Sequence, residues 1–237
     1  MSEYVSTGCD EIDGLLGGGF ERGAVTQVYG PPAAGKTNLA LSGAVEVAAG
    51  GGSALYIDTE GLSADRMEQI ARGRAEESDE TLEALAERIV VSEAYDFEEQ
   101  EIAVQDAEDL ASQVELIVLD SATGFYRLER NDHDGGEALR DVARQITHLL
   151  SLARKHDLAV AVTNQVFSDP ESDGTRALGG HTLNHWSGAI VRLDRFRGGN
   201  RRATLEKHRA KAAGDTVQFR ITESGLASGQ DRERSLD

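Results

Sequence analysis

Residues Gly30–Thr37 read GPPAAGKT, and this stretch restricts the fold more than any other in the chain. The run before it, Val25–Tyr29 (VTQVY), suits a buried strand. Asn38–Ala49 after it suits a helix closed by the glycines 50–52. A strand, a glycine-bounded loop and a helix in that order make a phosphate-binding loop. Gly30 and Gly35 let successive backbone N–H groups surround a polyphosphate, Lys36 reaches its terminal phosphates, and the Thr37 hydroxyl ligates Mg²⁺. The helix start adds the positive end of its dipole. The alanines fall at variable positions of the pattern and leave it intact. Nucleotide contacts are therefore expected from Gly30, Pro31, Pro32, Ala33, Ala34, Gly35, Lys36, Thr37 and the adjoining Asn38.

The remaining chain alternates in the same way. Ala54–Asp58 (ALYID), Ile89–Ser92, Leu116–Asp120 (LIVLD) and Ala159–Thr163 (AVAVT) read as strands, most of them continuous apolar runs of the kind buried on both faces. A polar helix is expected from about Ala64 to Arg74, and the acidic residues 75–88 are expected to be helical or irregular on the surface. Between Glu137 and His156, apolar residues recur at steps of three and four, which marks one face of an amphipathic helix. Strand-like stretches follow at Ala189–Leu193, Ala203–Glu206 and Val217–Thr222 with little helix between them. The pattern predicts a single α/β domain over residues 1–226, a mainly parallel twisted sheet flanked by helices with antiparallel strands appended at the C-terminal side. Residues 227–237 are expected to form a disordered tail.

Two carboxylates complement the loop. Asp120 ends a buried strand, where a second magnesium-holding acid belongs; by itself it also suits a turn or helix cap. Glu60, in YIDTEG, follows a strand that should neighbour the loop and can polarise an attacking water as general base; Asp58 competes for a polar role there. The histidines 133, 181 and 185 lack an acid at the spacing of a zinc triad, and Trp186 is expected in the core.

VSTGCDEIDGLLGGGFERGAVTQVYGPPAAGKT, YIDTEG, LIVLDSATGFYRLE, AVTNQV and LGGHTLNHW occur in this order and together resemble the RecA/RadA recombinase family, most closely its short archaeal branch. The resemblance covers about residues 5–226. It implies a RecA-like ATPase core that binds ATP with Mg²⁺ and acts in DNA repair and homologous recombination. It also implies Lys36 and Thr37 on the phosphates and magnesium, Glu60 as the water-activating glutamate, Asp120 on Mg²⁺, and Gln165 as the sensor of the γ-phosphate. The opening stretch is also similar to KaiC-like regulatory ATPases, although those carry two consecutive glutamates where YIDTEG has one. An adaptor that binds ATP without significant turnover is the third reading.

Departures from the family pattern shape the rest. An N-terminal DNA-binding domain and an F-x-x-A polymerisation segment are not found, so no stable filament is expected; the expected role is accessory, assisting a RadA-type recombinase with weak ATP hydrolysis. Of the two family loops that grip DNA, residues 127–136 carry Arg127 and Arg130 against three acids, and residues 166–180 carry Arg176 against three. Neither is net positive, so binding of single-stranded DNA is expected to be weak. A basic stretch stands out instead: Arg192, Arg195, Arg197, Arg201, Arg202, Lys207, Arg209 and Lys211, opposed by Asp194 and Glu206. Its arginines suit phosphate contact, with Arg195, Arg197, Arg201 and Arg202 the DNA candidates; a subunit contact and a solvated hairpin are the alternatives. The similarity to RecA-like and KaiC-like ATPases further suggests Lys207 and Arg209 as a basic finger reaching a neighbouring subunit's ATP.

Overall, 42 acids face 24 bases, four of them lysines, for a formal charge of −18. In dilute buffer such a charge opposes a polyanionic partner. The same composition suits proteins of salt-loving organisms, where molar salt shortens screening to about 3 Å and only local clusters count. With one cysteine, no intrachain disulfide forms. The acidic N-terminus is no signal peptide and no run is long and apolar enough to span a membrane, so a cytoplasmic protein is expected.

Overall fold

The computed structural model describes residues 2–125, 135–168, 175–177, 180–196 and 199–229. In chain order the elements are β1 (Tyr4–Val5), α1 (Asp10–Leu16), β2 (Phe20–Glu21), β3 (Val25–Tyr29), α2 (Lys36–Ala49), β4 (Ala54–Asp58), α3 (Ala64–Glu76), α4 (Leu82–Glu87), β5 (Ile89–Glu93), α5 (Phe97–Leu110), β6 (Leu116–Asp120), α6 (Gly135–His156), β7 (Ala159–Asn164), β8 (Val166–Ser168), β9 (Thr175–Ala177), α7 (Gly180–Trp186), β10 (Ala189–Arg195), β11 (Asn200–His208), β12 (Thr216–Thr222) and β13 (Gly225–Ser228).

Nine strands form one sheet in the order β13-β12-β11-β10-β3-β7-β6-β4-β5. From β10 to β5 every pairing is parallel, and β10, β11, β12 and β13 pair antiparallel. This is the mixed sheet read from the sequence. Strand β13 carries regular structure two residues past the boundary expected at Leu226.

The two-residue period of the strands sorts their side chains into two cores. Ala54 and Tyr56, Leu116 and Val118, and Ala159 and Ala161 join the layer that holds Leu39, Leu41 and Ala44 of α2. Leu55 and Ile57, Ile117 and Leu119, and Val160 and Val162 join the opposite layer, with Val104 of α5 and Val142, Ile146 and Leu149 of α6. Helix α5, which periodicity does not announce, starts where the Asp96 carboxylate accepts the Glu99 N–H at 2.8 Å. No helix among the described residues is long and apolar enough to cross a membrane.

Parallel pairing in register brings four strand ends to one edge: Tyr29 lies opposite Asn164, and Asp58 opposite Asp120. Ligands of open α/β sheets bind outside such carboxyl ends.

Candidate nucleotide site

GPPAAGKT leaves β3 at that edge and turns into α2. Ala33 has φ +59 and Gly35, at the N-cap, φ +107. The left-handed region costs a non-glycine residue about 1–2 kcal/mol, and Ala33 adopts it at an exposed position beside buried Ala34. Ala34 is fully buried in the core beneath the loop. Gly30 abuts β10, where an added Cβ would lie 2.3 Å from the Leu193 carbonyl oxygen. Gly30→Ala is therefore expected to push the loop off β10. A displacement costing ~1.4 kcal/mol or more weakens nucleotide binding at least tenfold, which titration with a fluorescent ATP analogue measures.

Lys36 Nζ donates to the carbonyls of Gly30 at 3.1 Å and Pro31 at 3.3 Å. Burial lowers its pKa, opposed by the charges of Asp120 and Glu60. Asp120 is 2% exposed and accepts hydrogen bonds from the Tyr56 hydroxyl at 2.6 Å, from Thr163 and from Thr37. Burial raises its pKa, and those hydrogen bonds pull the other way. The peptide from Asp120 to Ser121 is cis. Thr37 and Asp120 are thus neighbours, and a hydroxyl beside a buried carboxylate is an all-oxygen donor pair that fits Mg²⁺.

Glu60 and Gln165 also meet. Glu60 Oε1 accepts from Gln165 Nε2 at 2.7 Å and from Ser121 Oγ at 2.6 Å, while among the described residues Oε2 receives no hydrogen bond. The loop that presents Glu60 is shaped by a residue the sequence left undecided. Buried Asp58 accepts the backbone N–H groups of Glu60 at 3.0 Å, Gly61 at 3.1 Å and Leu62. Thr59 braces the same loop, its hydroxyl donating to the Ser121 carbonyl at 2.9 Å and accepting the Ser121 N–H at 2.8 Å. A carboxylate two residues before Glu60 was the available signal for Asp58; the role of Thr59 had none.

The basic stretch divides by strand alternation. Arg192 pairs with Asp194 and Glu206 at 3.2 Å each. Arg202 pairs with Asp194 at 3.5 Å and lies over the Phe196 ring. Arg201 is buried and donates to the carbonyls of Gly199 and Asn200. Lys207 Nζ donates to the Asn184 carbonyl at 2.6 Å, Arg209 pairs with Glu21, and Lys211 caps the carbonyls of Gly14 and Leu15 at the end of α1. Arg195 is exposed and has no carboxylate partner among the described residues. Register sets Lys207 opposite Ile190, which lies opposite Gln27 and so short of the phosphate loop. Arg127, Arg130, Arg197 and His133 lie outside the described residues, while Arg176 falls on β9 and His181 on α7. Trp186, expected in the core, is 39% exposed and meets His185 edge to face, because α7 ends there at the surface.

Comparison with known proteins follows the same lines. The model of the Rad51 family matches residues 3–229. DNA repair and recombination protein RadB of Halobacterium salinarum is 61% identical over 226 residues, 94% of each chain. The protein of that name from Archaeoglobus fulgidus is 42% identical over 225 residues, covering 94% of this chain and 97% of its own. A crystal structure of the RadB recombinase superposes with TM-score 0.81 at 38% identity, covering 94% of this chain and 99% of that one.

Proposed function

The chain belongs to the Rad51 family, beside the DNA repair and recombination proteins called RadB, and from that membership we propose that it binds ATP with Mg²⁺, hydrolyses it slowly and assists a RadA-type recombinase on single-stranded DNA. The observation that carries the enzymatic part is the hydrogen bond from Gln165 to Glu60 at the strand edge that also holds Lys36, Thr37 and Asp120. The KaiC-like alternative gives way to the family match.

In this reading the loop N–H groups and Lys36 bind the phosphates, and Thr37 and Asp120 hold the cation. Bound there, Mg²⁺ neutralises charge that develops on the transferred phosphoryl. Glu60 is anchored through Oε1 by two donors, so Oε2 is the atom that orients a water and takes its proton. Gln165 shares that anchor, so a change at the γ-phosphate end reaches the segment after β7 through one hydrogen bond. Slow turnover fits the engagement of Lys207 and Arg209 within their own chain, since neither is available to a second subunit's nucleotide without breaking a contact. The test is phosphate release at molar salt, with and without single-stranded DNA. Nucleotide binding without turnover would favour the adaptor reading, and absence of binding would overturn both.

For DNA, Arg195 is, among the described residues, the exposed candidate without a carboxylate partner. Arg195→Ala is expected to weaken binding to a labelled single strand uniformly across sequences and to lower the salt slope by about 0.7 for the lost phosphate contact, read by anisotropy over a salt series. An unchanged slope would place the contact elsewhere.

A further inference from the structure

The guanidinium of Arg66, in the first turn of α3, joins three elements. Its Nε donates to Asn38 Oδ1 at 2.7 Å, its Nη2 to the Thr222 carbonyl at 2.8 Å, and its Nη1 to the Glu223 carbonyl at 2.6 Å and to Gln69 Oε1 at 3.1 Å. Asn38 follows Thr37 in the first turn of α2. Thr222 and Glu223 lead into the turn between β12 and β13. The two groups are separated by more than 180 residues, and this side chain joins them.

That packing points the same way. Ile221, next to Thr222, leans on the phosphate loop, so that a Cβ at Gly35 would sit 3.0 Å from Ile221 Cδ1. On the far side the turn is seated against α3, where a Cβ at Gly73 would lie 2.3 Å from Ser224 Cβ. The start of α2 is thus held between the Arg66 clasp, reaching from α3 to the carbonyls of the C-terminal strand pair, and an apolar contact that this pair supplies through Ile221. The arrangement requires arginine: acceptors from different elements are satisfied by one planar fork, which a lysine ammonium on a flexible stem does not reproduce.

We propose that Arg66 is a positioning residue for the nucleotide site, fixing the first turn of α2 to the β12–β13 turn so that this distant turn sets nucleotide affinity. The proposal rests on the reading of GPPAAGKT as a nucleotide loop. The guanidinium acts through Asn38 and the helix that carries Thr37.

The experiment titrates a fluorescent ATP analogue with Mg²⁺ at high salt against wild type, Arg66→Ala, Arg66→Lys and Gly73→Ala, with melting temperatures recorded without nucleotide. Arg66→Ala is expected to weaken binding about tenfold, as for the loss of charge-assisted hydrogen bonds. Arg66→Lys is expected to recover little of it. Gly73→Ala, which moves the turn from its other side without touching the loop, is expected to weaken binding in the same direction. Wild-type affinity in Arg66→Ala or in Gly73→Ala, whatever the melting temperature, would overturn the proposal alone. Failure of the wild type to bind would overturn the nucleotide reading and the proposal with it.

Discussion

Replacing Glu60 by glutamine is expected to lower ATP turnover about 10²–10⁴-fold, the span of a lost general base, while nucleotide affinity stays near that of wild type. The substitution suits the local geometry. Oε1, which accepts from Ser121 and Gln165, keeps an equivalent in the glutamine carbonyl, so the loop and both partners stay in place. What changes is the second atom, an acceptor in the carboxylate and a donor in the amide, which cannot take a proton from water. Asp58 continues to hold the loop through the N–H groups of residues 60–62. Phosphate release and analogue titration on the same preparations separate the two effects. Undiminished turnover would remove Glu60 from the chemistry. A parallel loss of affinity would mean that its charge serves binding instead.

Asp120→Asn is expected to act in opposite directions on stability and on binding. The carboxylate is buried and its pKa is raised, which means that the folded state disfavours its charged form. Removing that charge relieves the penalty, and the Tyr56 and Thr163 hydroxyls can rotate to accept from an amide as well as donate to it. Without nucleotide, the variant should therefore melt above wild type at neutral pH. An acid with a raised folded pKa takes up its proton more readily folded than unfolded, so the wild type recovers as pH falls towards that value. The gap between the two melting curves should narrow as pH falls from neutral towards that raised value. Affinity for ATP with Mg²⁺ should fall, while affinity measured without the metal falls less. A variant that melts lower at every pH would show that the hydrogen bonds outweigh the charge.

The parts of this molecule that were legible in its sequence are those governed by local rules. Leu116–Asp120 and Ala54–Asp58 announce themselves because a strand covered on both faces must be apolar throughout, and GPPAAGKT because few backbones can encircle phosphates. Helix α6 shows its period, although it begins at Gly135, two residues before the expected start. Helix α5 escaped because its exposed face is a run of acids and its buried face is mostly alanine and valine, a weak contrast. The hydrogen bond between Glu60 and Gln165 spans 105 positions and exists only once β4, β6 and β7 are in register. The basic stretch shows the limit most plainly. Eight bases in twenty residues read as one positive surface, yet alternation along β10 and β11, shifted by an irregularity at Ile190 and Val191, hands most of them to acids and carbonyls of their own chain.

The contacts that shape GPPAAGKT belong to the protein alone: the left-handed Ala33 and Gly35, the seat of Gly30 on Leu193, and the Lys36 ammonium lying against two carbonyls of its own loop. A cradle preorganised in this way charges little ordering entropy to an incoming nucleotide. It also treats the α- and β-phosphates alike in a diphosphate and a triphosphate. In the proposed reading, discrimination between the spent and unspent nucleotide then falls to the groups at the terminal phosphate, Lys36 and the Glu60–Gln165 pair. Of the eight residues that identify the site, only the last two would then bear on which nucleotide is in it.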